Sequence, residues 1–446
     1  MSSDRIKKWL QENHITEVEC LVPDMTGNAR GKFIPADKFI KEDCRLPDSI
    51  LVQTVTGDYT DVHDELVGPT DTDMMLRPDP DTMRLVPWAK YPTAQIIHDC
   101  YTREGEPHPL ATRNVLKRVL SLYEAESWQP VVAPEVEFYL TQKNLNPHDE
   151  LEAPIGRSGR KEAGRQSYSI DAVNEFDPFI EEMYDFCEAQ DLDVDSLIHE
   201  SGVAQMEINF LHGDALNLAD QVFIFKRTVR ETALRHDIYA TFMAKPMEHE
   251  PGSAMHIHQS FLDTKTGLNI FSNEDGTEHQ RFRHFIGGLQ KYTPGAIAFF
   301  APNVNSYRRF APGIAAPINL HWGYENRTVA IRVPDSSAQA RRVENRFPGV
   351  DANPYLAIAV SLACGYLGMK QGIGASEPHA GDAFKEPITV ARSLEHALKL
   401  LSDNDDMKEI LGANFVKAYC AVKQEEFEAF NRVISSWERK YLLLNV

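Results

Sequence analysis

Four short stretches of this chain carry polar, metal-capable or charged side chains at every second position, a spacing that places them on one face of an extended strand. Ala133–Leu140 sets Glu135 and Glu137 on one side and Val136, Phe138 and Leu140 on the other. Ala204–Phe210 aligns Gln205, Glu207 and Asn209 against Met206, Ile208 and Phe210, with Glu200 just upstream. Ser253–Ser260 aligns His256, His258 and Ser260, and Arg341–Phe347 aligns Arg342, Glu344 and Arg346. The opposite faces are largely apolar, so the strands pack on a core while their polar faces carry acids rather than Ser, Thr or Lys. Five glutamates with one or two histidines suit hard divalent cations, Mg2+ or Mn2+, with donors enough for two ions. Zinc is disfavoured there, because cysteine takes no part and carboxylates dominate.

Arginines form the second half of the pattern. Arg308 and Arg309 follow Asn305-Ser306-Tyr307, Arg327 and Arg332 share one segment, and Arg342 and Arg346 flank Glu344. The planar guanidinium binds phosphate and carboxylate bidentately. Cations beside an arginine cluster point to phosphoryl transfer with a carboxylate substrate nearby; a set of structural ion pairs is the alternative. Common nucleotide motifs are absent. GNARGK (27–32) runs into Phe33 where a P-loop needs a longer spacing and Ser or Thr, and Gly372-Ile373-Gly374 lacks the third glycine of a dinucleotide fingerprint.

The elements that must position these residues read as α+β. A strand-rich unit covers residues 1–106, opening with a helix over Asp4–Glu12 and strands over Glu17–Val22 and Ser49–Thr54. The boundary falls in Gly105–Leu110, and residues 107–446 mix long helices with short strands. Val115, Leu116, Val119, Leu120 and Tyr123 make one helical stripe over Ala111–Glu126. Ala357–Met369 is too short for a membrane span and reads as a buried helix after Asn353-Pro354. Gln142–Gln166 is polar and aperiodic, a long loop that is either functional or a solvated insertion. Asn414–Val446 is a helix followed by YLLLNV, apolar residues that call for cover from the body or a neighbouring subunit.

Of 446 residues, 46 are Lys or Arg and 66 Asp or Glu, a net charge of −20 that argues against nucleic-acid binding. The six cysteines have no CxxC and no regular spacing, neither a disulfide framework nor a zinc-finger pattern. With no signal-peptide h-region in the N-terminal residues, the expectation is a soluble cytoplasmic protein without membrane partners.

Over essentially its whole length the chain resembles the glutamine synthetase family, and within it the glutamate–amine ligases that make γ-glutamylpolyamines or γ-glutamylputrescine. The matching segments are PEVEFYL (134–140), HESGVAQMEINF (199–210), KPMEHEPGSAMHIHQS (245–260), NSYRRFAPG (305–313), ENRTVAIRVP (325–334) and ARRVENRFPGVDANPYL (340–356), in order. The resemblance implies an N-terminal β-grasp domain and a catalytic domain whose antiparallel strands form an active-site funnel surrounded by helices. It implies a homo-oligomer, a dodecamer of two hexameric rings or a single hexamer, with ATP and two or three Mg2+ or Mn2+ ions per site. By resemblance, Glu137, Glu200 and Glu207 hold a first metal, and Glu135, His256 and Glu344 a second. His258, Ser260 and Arg342 contact the nucleotide, Arg327 and Arg332 its phosphates, and Gly252, Arg309 and Arg346 the glutamate. The implied chemistry phosphorylates the γ-carboxylate of L-glutamate, and a primary amine then displaces phosphate from the γ-glutamyl phosphate.

Departures from the parent pattern concern the amine. In Gly313-Ile314-Ala315-Ala316-Pro317, Ala315 stands where glutamine synthetases carry an ammonium-binding glutamate, and Asp58 matches a second acid only with a gap. Loss of these acids leaves room for an amine larger than ammonia. Asp73 and Tyr168 match the pocket region and are candidates to orient the amine or take its proton. Pro251 replaces an asparagine, Gln339 a lysine, and Phe384–Ser393 lacks a tyrosine that some relatives adenylylate. A polyamine such as putrescine or spermidine leads as acceptor. The alternatives are a bulky or aromatic monoamine, ammonium itself, or a non-catalytic binding relative; Asp58, Asp61, Asp64 and Glu65 are either acids for a neighbouring subunit's pocket or a solvated loop.

Overall fold

The structure, a computed structural model, describes residues 2–311 and 316–446. The N-terminal sheet has six strands: β1 (Glu17–Pro23), β2 (Ala29–Pro35), β3 (Cys44–Pro47), β4 (Asp73–Pro78), β5 (Arg84–Leu85) and β6 (Thr93–Tyr101). Their order is β2-β1-β6-β4-β3, with β5 beside β6. β1 and β6 run parallel at the centre and the other pairs are antiparallel, the β-grasp arrangement. The expected strand over Ser49–Thr54 does not form; Asp48–Val52 is a 3-10 turn. Asp71 accepts from both the amide and the hydroxyl of Ser49, which takes that backbone out of any ladder, while Leu51 and Val52 are still buried. A short apolar run does not by itself distinguish strand from buried turn.

The second sheet has nine strands: β7 (Trp128–Gln142), β8 (Val194–His199), β9 (Gln205–Phe210), β10 (Gly213–Asp214), β11 (Ile238–Thr241), β12 (Ile257–Asp263), β13 (Trp322–Tyr324), β14 (Ile331–Val333) and β15 (Val343–Asn345). The order is β13-β14-β15-β12-β7-β9-β8, and β10 and β11 also pair with β7. All pairs are antiparallel except β13 with β14. The long β7 is the hub. Its Val136, Phe138 and Leu140 are fully buried, and Phe138 meets Phe225 of the helix Ala215–Arg235 edge-on.

Helices pack around this sheet as the patterning predicts. Thr112–Ala125 buries Val115, Leu116, Val119 and Tyr123. Pro354–Gln371 begins where the Asn353 side chain accepts from the amides of Tyr355 and Leu356, and it ends at Gly372 with φ +65°. Its first turns carry no charged residue and are buried. Arg113 ties the N-terminal sheet to the helices of the body: it donates to Asp79 and Asp99 at the sheet and to Asp220 of the helix Ala215–Arg235. Tyr355 shares Asp220, so the buried charge is surrounded by donors.

No α-helix or strand forms between Gln142 and Ile170. The segment is nevertheless anchored, because buried Glu162 accepts from His199 Nε2 at 3.1 Å and from the Ala204 amide at 2.7 Å. At the other end, Val433, Ile434, Trp437, Leu443, Leu444 and Val446 are exposed beyond the helix Ala413–Asn431. Among the described residues no helix is long and apolar enough to cross a membrane.

Candidate active site

Strand register decides which of the alternating side chains meet. Glu137 stands opposite Glu207 and Glu135 opposite Asn209 in the β7–β9 ladder. On the other flank, Glu344 of β15 stands opposite both Arg332 of β14 and His258 of β12. Glu135 accepts from His256 Nδ1 at 3.1 Å and from His258 Nε2 at 2.9 Å. Arg342 Nε reaches His258 Nδ1 at 3.3 Å, which leaves Nε2 as the protonated nitrogen. Glu344 accepts from Arg332 at 2.8 Å and from Arg346 at 2.5 Å, with His256 at 3.5 Å.

Charge divides this cluster in two. Burial alone would raise Glu344, but Arg346, His258 and His256 hold its carboxyl at about 2. Burial also works against ionised Glu135, yet hydrogen bonds from His256 and His258 bring it well below the usual carboxylate range. The other three acids go the opposite way. Burial and then Glu200 push Glu137 up to about 8, and burial with Glu135, Glu137 and Glu200 raises Glu207. Glu200 is itself raised, first by burial and then by Glu135.

These side chains line a cavity of about 500 Å³ with Arg309, Arg327, Arg332, Arg346, Gly252 and Tyr168 around the acids Glu135, Glu137, Glu200 and Glu207. A second cavity of about 540 Å³ is lined by His258, Ser260, Arg342 and Gln339, and it shares Glu135 and Asn209 with the first. Glu135 therefore stands between two chambers. Glu344 is 1% exposed and lies behind the wall rather than in it.

Donor atoms gather as Glu135–Glu207–His256 and as Glu135–His258–Glu344, each set within 4.8 Å. The grouping differs from the one the resemblance implies. His258, expected at the nucleotide, stands among the ligand-capable atoms, and Glu137 instead accepts from the Ala254 amide at 2.8 Å and Gln205 Nε2 at 3.1 Å. The donor chemistry fits hard divalent ions: carboxylates and imidazoles, no thiol, and three acids whose crowded charge a cation would relieve.

The arginines fit anions. The buried Nε atoms of Arg332 and Arg346 have no partner, and exposed Arg327 has no hydrogen bond or ion pair among the described residues. Arg309 is 2% exposed and donates to the carbonyls of Phe347 and Arg346, leaving other guanidinium N–H groups for the cavity. Arg308 is exposed to solvent.

Two expected residues behave differently. Tyr168 is at the cavity, in a left-handed backbone conformation with φ +61° and with its amide bonded to the His199 carbonyl. Asp73 begins β4 in the N-terminal sheet and does not reach the cavity of its own chain, nor does Asp58, whose carboxylate accepts from Thr56. Ala315 lies outside the described residues, while Ala316 lines the cavity beside Pro251. The spacing argument passed over Ile198 and Phe384 on the wall, one just ahead of the HESG segment and the other opening Phe384–Ser393, and over Glu162, which holds His199 and the Ala204 amide from the long loop.

The family model described as glutamine synthetase, catalytic domain, matches residues 109–442. The chain is 32% identical to gamma-glutamylputrescine synthetase PuuA of Escherichia coli (strain K12), over 99% of this chain and 95% of that one. It is 30% identical to a glutamate–isopropylamine ligase of a Pseudomonas species, over 97% and 96%. The solved structure of a GmaS/ADP complex superimposes with a TM-score of 0.83 at 27% identity, covering 98% of this chain and 99% of that one.

Proposed function

The chain belongs to the glutamine synthetase family and is a ligase, and from that premise we propose that it joins the γ-carboxylate of L-glutamate to a primary amine, with ATP converted to ADP and phosphate. The observation that carries this reading is the shared wall at Glu135. A chamber rich in acids and arginines meets a second chamber there, so a phosphate-bearing nucleotide and an amino-acid carboxylate can be brought end to end.

Enzymes of this family use ATP and divalent metals. The residues that would hold two or three Mg2+ or Mn2+ ions are Glu135, Glu137, Glu200, Glu207, His256 and Glu344; such ions neutralise phosphoryl oxygens during transfer. Arg327 and Arg332 act on the same charge from the protein side, their free N–H groups supporting that role. His258, Ser260 and Arg342 line the nucleotide chamber. Arg346, Arg309 and the Gly252 backbone hold glutamate so that its γ-carboxylate meets the transferred phosphoryl group, forming γ-glutamyl phosphate. The amine then attacks this acyl phosphate, with Tyr168 at the cavity mouth orienting it.

Asp73, remote from its own chain's cavity, acts in this reading from a neighbouring copy. Assembly into rings, one hexamer or two stacked, is supported by the exposed apolar C-terminal residues. Six free cysteines support a cytoplasmic setting.

The acceptor by likeness is a polyamine. One observation favours a monoamine instead: Ile198, Pro251, Ala316 and Phe384 line the same cavity as Tyr168, and every carboxylate among its described lining belongs to the cation cluster. Among the described residues of this chain no acid of the lining is left for a second ammonium group, so a diamine would have to draw one, such as Asp73, from a neighbouring copy. Phosphate release with ATP, Mg2+ and glutamate, across ammonium, diamines, polyamines, and alkyl and aromatic monoamines, decides among these. Turnover with one amine class at least tenfold above ammonium is expected. Equal or better turnover with ammonium would return the protein to glutamine synthesis, and nucleotide binding without turnover of any amine would make it a non-catalytic relative.

A further inference from the structure

The scattered cysteines have no motif in sequence, yet the N-terminal sheet carries three of them and brings two together. Cys20 on β1 stands opposite Ile96 of β6, and His98 is two residues further along β6 on the same face. Cys44 on β3 stands opposite Leu76 of β4, which in turn stands opposite Cys100 of β6, so Cys44 projects from that same face two strands away. Curling of the sheet brings the Cys20 and Cys44 sulfurs and a ring nitrogen of His98 all within 4.8 Å of one another. Each of the three side chains is almost completely buried.

The imidazole is the informative member. His98 Nδ1 bonds the Ile96 carbonyl at 2.9 Å, which fixes the proton on Nδ1 and leaves the Nε2 lone pair bare. That Nε2 is buried and has no hydrogen-bond partner among the described residues. An orphaned acceptor inside a core is costly, and a metal-ligating histidine is normally held by this same contact from its other nitrogen to a carbonyl. Phe39 lies edge-on to the ring at 5.9 Å and shields it from water.

We propose that Cys20, Cys44 and His98 form a structural zinc site, separate from the carboxylate cluster of the active site. Two thiolates and one neutral imidazole are donors of the kind zinc selects, and supply three of the four its structural sites take. Charge also favours Zn2+ over a monovalent soft ion, since two thiolates cancel its charge and leave a neutral complex fit for a dry core. Binding is balanced by release of one proton from each thiol to solvent, with no change of oxidation state. Cys100, buried on the same face, is a further thiol beside the site. The ion would link edge strand β3 to central β1 and β6 and so hold the curl of the sheet.

The test uses full-length protein made in cobalt-supplemented minimal medium and washed with EDTA to strip ions held by carboxylates. About one cobalt per chain is expected to remain, with strong near-ultraviolet thiolate-to-cobalt absorption that disappears as an organomercurial titrates two thiols. Cys20→Ala should abolish the absorption and Cys187→Ala, a buried thiol elsewhere, should keep it. Where Cys20→Ala does not fold, the unmodified protein decides. Absence of the charge-transfer absorption there overturns the site, as does a thiol count in denaturant two short of six, which would mean a Cys20–Cys44 disulfide.

Discussion

Gly252 rests directly on Arg309: a Cβ on the glycine would stand 2.6 Å from Arg309 Cγ and 2.7 Å from the Ala244 carbonyl oxygen. Backbone and guanidinium stem therefore fix each other's position in the cavity wall. Gly252→Ala must displace Arg309 or the 244 carbonyl, an overpacking that costs ~1–3 kcal/mol. The expected outcome is an increase in KM for glutamate of about tenfold or more, read by steady-state phosphate release, with the KM for ATP changed far less.

Arg327 offers the cleanest separation of chemistry from stability. It is exposed and has no hydrogen bond or ion pair among the described residues, so its removal breaks no bonded pair and leaves only a longer-range attraction to Glu200 and Glu325 unmet. Arg327→Ala should leave the thermal midpoint within about 1 °C while lowering kcat by ~10²–10³, the range seen when one preorganised donor to developing charge is deleted. A loss below threefold would remove Arg327 from the transfer step.

Crowding of Glu137, Glu200 and Glu207 makes the folded protein responsive to cations. Manganese at about 100 times its dissociation constant should stabilise the protein by ~2.7 kcal/mol, seen as a rise in thermal midpoint. Glu207→Gln keeps the shape but removes a charge that burial and three neighbouring acids disfavour. In EDTA the variant should melt no lower than the parent, and it should lose most of the manganese-induced rise.

Lys226 gives a pH signature away from the active site. Burial, assisted by Arg230, lowers its ammonium to about 7, and its Nζ donates to the carbonyls of Val350 and Ala352. The unfolded chain holds this proton up to about 10.4. Between those values the unfolded state binds more protons, so this residue's contribution to stability rises with pH. From pH 7 to 9.5 the increment is ~3 kcal/mol, and denaturant unfolding of Lys226→Met should lack it. Equal pH slopes for the two proteins would contradict the assignment.

Much of the site is legible in the sequence because strands repeat every two residues. Glu135, Glu137 and Glu207 fall on the cavity side since Val136, Phe138 and Ile208 must be buried. Register is different. Nothing local reveals that His258 and Glu344 stand opposite one another, and it is this pairing that brings His258 close to the acids. Ser49–Thr54 fails as a strand because a distant aspartate, Asp71, captures Ser49. Glu162 and the Cys20–Cys44–His98 group escape for the same reason, their partners being far along the chain.

β7 pairs with β9, β10, β11 and β12, and its alternate residues face cavity and core. A single inserted or deleted residue in Ala133–Leu140 would exchange Glu135 and Glu137 for Val136 and Phe138, burying charge and exposing aromatic surface in one step. Length is thus forbidden to vary in this strand, whereas Pro251 and Ala316 sit in loops, Phe384 in a 3-10 turn and Ile198 one residue from the end of β8. Libraries seeking a new acceptor amine can be confined to those four positions, with the catalytic frame carried unchanged from one specificity to the next.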